Sequence, residues 1–281
     1  MADNTQTKEG ETKQVGVLII HGIFGSSREF DGLAKRLNRT GYQTRQVTLP
    51  GHGPTPELPM NQLNVDIMKS HCLAEYHLLA ETCDEVVIIG HSLGGICTLL
   101  TAAARPEKLA GVLTFSTPCD QAYFINHPKG FTELSADRWA RGLMFLPQSF
   151  TVFEKPDFKP WWFPVLKRET EHIFKTLNQA LPDIQVPVCL THSLYDMAIP
   201  YAEMGKLEQR LVAVKSIEVN TIHHCGHQIF AYGLERENAM SIVLAFLKKE
   251  CSPVAPKTET LAEILRITKF KTLRSVFNYA S

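Results

Sequence analysis

Ser92 lies in Gly90-His91-Ser92-Leu93-Gly94-Gly95, directly after the apolar run Val86-Val87-Ile88-Ile89. A β-branched run of this kind reads as a buried strand and residues 93–104 read as a helix, so the serine falls on the turn between them. Glycine two positions before and two after it fits a turn that leaves almost no room beside a strained nucleophile. The following helix presents the Leu93 N–H and its positive dipole end to any negative oxygen formed next to Ser92. Acyl transfer is the chemistry such a turn suits. A serine is a poor nucleophile, however, until a histidine takes its proton and an acid holds that histidine in the right tautomer.

Candidates for both partners follow Ser92 in the chain. After the apolar run at 188–191 comes His192-Ser193-Leu194-Tyr195-Asp196, just before a helix opened by Pro200, and Asp196 is the preferred acid. Asp120, which follows an earlier strand, is its rival, and capping or loop bonding is the structural alternative for Asp196. The preferred base is His227, in Thr221-Ile222-His223-His224-Cys225-Gly226-His227, where the preceding glycine offers backbone freedom. His223 and His224 read as loop or core histidines. Three histidines and a cysteine this close also raise a metal site, but the chain has no second ligand cluster such as H-E-x-x-H, so no metal is expected. The second oxyanion donor is expected from Ile20-His21-Gly22-Ile23-Phe24-Gly25, as the backbone N–H of Ile23 or, one residue on, of Phe24.

The elements that must position these residues alternate in type. Apolar runs at 15–20, 44–49, 86–89, 111–115, 188–191 and 216–219 read as strands. Residues 26–39, 63–81, 93–104 and 235–249 read as helices between or after them. Such alternation implies an α/β chain with a mostly parallel sheet wrapped by helices, whose ligands bind beyond the carboxyl ends of the strands. Each candidate residue above falls at such an end.

At 281 residues the chain suits one large α/β domain with an insertion, and its 29 basic residues balance its 29 acidic ones, which argues against a nucleic-acid partner. The polar start, residues 1–14, does not read as a secretory signal, and no apolar run approaches the roughly 20 residues that span a bilayer. Seven cysteines without C-x-x-C spacing read as reduced packing residues. A cytoplasmic protein is the expectation.

The alternation stops across residues 120–183, too long for an ordinary connection and therefore read as a folded insertion over the strand ends, with a helix at 169–180. Its aromatics, Phe145, Trp161 and Trp162 among them, are expected mainly to pack the insertion. Together with Phe24, these three are the candidates for lining an apolar substrate pocket. Core boundaries are thus 15–119 and 184–250. Beyond them, residues 251–257 read as a linker and 260–277 as a basic amphipathic helix. That helix could lie on an anionic membrane, pack on its own domain or join a second subunit.

With His21-Gly22-Ile23-Phe24-Gly25, Pro50-Gly51-His52-Gly53, the Ser92 turn, Asp196 with Ile199-Pro200 and Gly226-His227, the chain resembles the α/β-hydrolase superfamily over about residues 15–247. Within it, the resemblance is to small-cap carboxylesterases and bacterial monoacylglycerol lipases. What it implies is the α/β-hydrolase fold with a small cap, and hydrolysis of carboxylic esters without metal or organic cofactor, through an acyl group on Ser92. The expected substrate is a small-molecule ester or lipid with an apolar acyl chain. A thioesterase or acyltransferase would use the same three residues, and a sensor that binds without turnover is a third reading.

Overall fold

The structure, a computed structural model, describes residues 13–23, 25–53, 62, 64–120, 163–196, 198–231 and 233–251. The expectations for Phe24, Phe145, Trp161, Trp162, most of the insertion and the tail helix lie outside them.

Six strands form one parallel sheet in the order β2-β1-β3-β4-β5-β6: β1 (Val15–Ile20), β2 (Gln43–Val47), β3 (Glu85–His91), β4 (Leu109–Phe115), β5 (Val188–Ser193) and β6 (Ile217–Ile222). The chain steps from β1 outward to β2, then returns to place β3 on the other side of β1. Strand order therefore reverses at β1, and the loops leaving β1 and β3 part to opposite faces, opening a crevice at their carboxyl ends. Ile20 is level with Gly90 in that pair, which brings the 21–25 loop against the Ser92 turn.

Alternation along the strands assigns the two faces. Leu18, Ile20, Val86, Ile88, Val112, Val188 and Leu190 point to one face. There they meet helices α2 (Val65–Ala80), α3 (Leu93–Ala103), α4 (Phe163–Ala180) and α5 (Ala202–Arg210). Val15, Val17, Ile19, Val87, Ile89, Leu113, Phe115 and Cys189 point to the other face, covered by α1 (Asp31–Arg39) and α6 (Gly233–Glu250). Covering both faces is what lets β1, β3 and β5 be buried almost throughout. Helix α3 is buried on all sides, as expected of a helix apolar all round.

The elements differ from the sequence expectations mainly at their ends. Residues 26–39 divide into a 3-10 turn (Ser27–Phe30) and α1, and α4 begins at Phe163 because Pro164 is tolerated in a first helical turn. Three strands run past their apolar stretches into polar residues. His91, His192 and Ser193 stay in the ladder, opposite Phe115, Thr221 and Ile222. All seven cysteines are buried free thiols. Among the described residues no helix is long and apolar enough to cross a membrane.

Candidate active site

The loop after β1 is held from two directions. Gly25 N–H donates to the Gly22 carbonyl at 3.0 Å, closing a turn around Ile23. The His21 ring donates from Nδ1 to the same carbonyl at 2.7 Å and accepts the Leu49 N–H on Nε2 at 3.1 Å, tying this loop to the one after β2. Gly22 lies close against the Ser92 turn: an added Cβ would sit 3.1 Å from Ser92 Cβ and 3.2 Å from Nδ1 of His91, so a side chain there would make its neighbours yield.

Ser92 leaves β3 with φ 53° and ψ −118°, a region that non-glycine residues avoid. It is held there by its own main chain. Its N–H donates to the Phe115 carbonyl at 2.8 Å, and its carbonyl accepts the Gly95 N–H at 2.9 Å. The conformation is possible only because neighbours lack side chains. A Cβ on Gly94 would run into the carbonyls of Ile20 and His21, and one on Gly95 into the Thr117 side chain. Leu93 is the first residue of α3, a position whose N–H has no intrahelical acceptor and points outward with the positive end of the dipole.

The candidate acid and the candidate base follow the last two strands, β5 and β6. The Asp196 side chain is fully buried, and its Oδ1 accepts the Ala198 and Ile199 N–H groups at 2.9 and 2.8 Å. Its Oδ2 accepts from Nδ1 of His227 at 2.8 Å and lies 3.5 Å from Nε2 of His192, which donates to the Ile199 carbonyl at 3.0 Å. Burial by itself would raise the Asp196 carboxyl; the charge and hydrogen bond of His227, with His192 and the Ile199 amide, outweigh it and bring the pKa down to about 2. Asp196 is thus a carboxylate at neutral pH, and it leaves the second ring nitrogen of His227 for another partner. Asp120 goes elsewhere: it pairs with Lys206 at 3.6 Å and Arg210 at 3.7 Å.

The histidine cluster after β6 does not converge. His223 and His224 are exposed, Cys225 is buried with its thiol pushed by burial up to about 11, and no described group of three His, Cys, Asp or Glu is placed to hold a metal. Gly226 needs no special backbone freedom, which corrects the expectation: its φ lies outside the left-handed region and a Cβ there would meet nothing within 4 Å. The 223–228 loop is positioned instead by bonds to its carbonyls, from the Ser193 hydroxyl to Cys225 and from Nε2 of His91 to His227 at 2.8 Å.

A sequence model described as the alpha/beta hydrolase family matches residues 17–237. The chain belongs to this family. Among its sequence relatives, an sn-1-specific diacylglycerol lipase of Danio rerio is 33% identical over 103 residues, 35% of this chain and 30% of that protein. A thermostable monoacylglycerol lipase of a Bacillus species is 28% identical over 110 residues, 39% of this chain and 43% of that protein. The chain thus spans less than half the length of these relatives. Solved structures match more widely. One of the metagenome-derived lipolytic enzymes LipS and LipT superposes with a TM-score of 0.66 at 24% identity, over 85% of this chain and 95% of that one. The monoacylglycerol lipase of Paleococcus ferrophilus does so with a TM-score of 0.63 at 18% identity, over 84% and 94%. At these identities the structural likeness shows the fold.

On this alpha/beta hydrolase frame, several buried polar residues escaped the sequence reading. Glu29, His91, His192 and Glu203 are all nearly inaccessible. Glu203 accepts the N–H groups of Cys119 and Asp120 at 2.9 and 2.7 Å and so anchors the start of the 120–183 segment. Only His91 and His192 carried a signal, as polar residues at the ends of apolar runs.

His52, in the loop after β2, sits edge-on to His21 with ring centroids 5.0 Å apart. Burial first, and the charge of His21 second, lower its pKa from the ordinary 6.5 to about 4, against the pull of its bonds to Pro50 and Leu49. Between those two values the unfolded chain binds a proton that the folded one refuses, so this contribution to stability falls as the pH drops through that window, by about 3 kcal/mol in all. Urea unfolding of wild type and His52→Gln between pH 7 and pH 4 should therefore diverge, the wild type losing more. Parallel curves would mean that His52 takes up its proton at no cost.

Proposed function

We propose that the protein is a serine ester hydrolase. Ser92 attacks the acyl carbonyl, the N–H groups of Leu93 and Ile23 (or Phe24) hold the developing oxyanion, His227 carries the proton from Ser92 to the leaving alcohol, and Asp196 fixes the His227 tautomer. Water then releases the acyl group by the same route. The observation that carries this reading is the 2.8 Å contact of the buried Asp196 side chain with Nδ1 of His227, a residue whose carbonyl is bonded by His91, which directly precedes a serine in a strained turn. A charged acid bonded to one ring nitrogen orients the other as a base.

The substrate class proposed is a carboxylic ester with an apolar acyl chain, monoacylglycerols included. The relative named as a thermostable monoacylglycerol lipase supports it, as does the aromatic composition of residues 145–163. No metal or organic cofactor takes part in the proposed chemistry. The proposed partners are the ester or lipid itself and, through residues 260–277, a membrane surface or a second subunit, in a cytoplasmic setting.

A chain-length series of p-nitrophenyl esters beside monoacylglycerols and acyl-CoA tests the reading, together with fluorophosphonate labelling. Labelling at Ser92 and turnover that rises with acyl length are expected, and failure of both would remove the proposal. Asp196→Asn should lower kcat by roughly 10⁴-fold, because an amide can hold the ring in the wrong tautomer. A loss of less than about tenfold would mean that the acid acts from elsewhere.

A further inference from the structure

His91 is the last residue of β3, immediately before the nucleophile, and its side chain is wholly buried. Both ring nitrogens meet acceptors. Nε2 lies 2.8 Å from the main-chain carbonyl of His227, and Nδ1 lies 2.7 Å from Oε1 of Glu29, itself almost completely buried. A carbonyl can only accept, so Nε2 carries a proton, and the carboxyl group of Glu29 beside Nδ1 favours a second proton there, giving an imidazolium that faces a carboxylate. The approach to Glu29 is short but lies off the N–H direction of a good hydrogen bond, so charge is what joins the two. The His91 ring also packs on the ring of His227, with centroids 4.7 Å apart and planes at 44°.

We infer that Glu29 and His91 are a positioning pair that anchors the His227 main chain, so that the base is held at two points: its ring by Asp196 and its backbone by His91. The inference rests on the reading of His227 as the base. Asp196 fixes one edge of the ring, and the Ser193 hydroxyl holds the Cys225 carbonyl two residues before it. The His91 bond acts on the His227 carbonyl itself, which also accepts the Ile229 N–H at 3.1 Å, and ties it to the residue adjoining Ser92. Glu29, in the turn that follows the 21–25 loop, extends the link to the proposed oxyanion loop. Nucleophile, base and oxyanion loop thus share one buried brace.

The electrostatics agree. Burial by itself would raise the Glu29 carboxyl and lower the His91 imidazole, but their mutual attraction outweighs it on both sides, leaving Glu29 lowered and His91 raised from their ordinary values. His21 and His227 also face Glu29 and act in the same direction on it, as Asp196 does on His91. A buried ion pair is a poor source of stability, since apolar residues of similar volume often serve as well or better. What this one adds is direction at a single carbonyl.

The test uses the full chain with Glu29→Gln, His91→Gln and the double variant Glu29→Leu/His91→Leu, which removes both buried charges together. On p-nitrophenyl butyrate, kcat of Glu29→Gln and of the double variant should fall by about 10²-fold, the cost of displacing a catalytic group by about an ångström. KM should stay within about threefold. His91→Gln keeps a donor for the His227 carbonyl and should be the least impaired. Urea unfolding separates positioning from folding: the double variant should match the wild type in stability yet remain slow. A folded double variant with kcat within about threefold of wild type would overturn the inference. So would a ¹⁵N histidine spectrum of the wild type showing only one protonated nitrogen on His91. That spectrum does not depend on turnover. If the wild type hydrolyses no ester and Ser92 resists labelling, it is the hydrolase reading that fails, and the spectrum still decides whether the brace exists.

Discussion

Ser92→Ala is expected to lower kcat/KM on p-nitrophenyl esters by roughly 10⁴-fold or more, since the remaining groups would retain only what binding and oxyanion stabilisation supply. The fold should survive, because the bonds that hold position 92 are main-chain bonds to Phe115 and Gly95, which alanine keeps. Stability offers a second reading of the same site. A non-glycine residue at φ 53° and ψ −118° stores strain of about 1–3 kcal/mol, and glycine relieves it. Ser92→Gly should therefore be more stable than Ser92→Ala by about 1 kcal/mol, the reverse of the usual order in a folded chain. Turnover by Ser92→Ala above about one per cent of wild type would remove Ser92 as nucleophile. Equal stability of the alanine and glycine variants would show that the turn carries no strain.

Gly94→Ala should cost about 3 kcal/mol or more, a large share of the stability of a typical domain. The atoms in the way are the carbonyls of Ile20 and His21, which belong to the main chain at the end of β1 and cannot turn aside as a side chain could. Relief requires separating α3 from β1, which would also pull the Ser92 turn away from the Ile23 loop. Gly205, inside α5, is the contrast, because a Cβ there meets nothing within 4 Å. Gly205→Ala should stabilise the protein by about 0.5–1 kcal/mol through helix propensity. Denaturant midpoints for the two variants measure the difference directly. If both shift by the same amount, the crowding at Gly94 has no energetic consequence.

Legibility followed distance along the chain. The strands that carry the site were readable as apolar runs, because a strand covered on both faces must be apolar at successive positions. The Ser92 turn was readable because its strand, its glycines and its helix all lie within about twenty residues. Gly94 was recognised by position, but its partners, the Ile20 and His21 carbonyls, lie more than seventy residues away and were invisible. Gly226 shows the converse: a glycine beside a candidate base suggested a special backbone, and the folded loop uses none.

Asp120 and Asp196 mark where local pattern stops. Each is an acid a short way beyond a strand end, and the sequence prefers Asp196 without excluding Asp120. Packing separates them, by placing Asp196 against Nδ1 of His227 and Asp120 against Lys206 and Arg210. Glu29 and His91 go further still, since neither residue alone suggests a role and their contact joins segments 62 positions apart. By itself, then, the sequence determined the element types and the strand–turn–helix around Ser92, both of which depend on short-range sterics and hydrophobic period. Tertiary structure alone decided the strand order that opens the crevice beside β1, which acid meets the histidine, and which buried charges find a counter-charge. Those are long-range pairings, selected by the free energy of burying polar groups only where a partner waits.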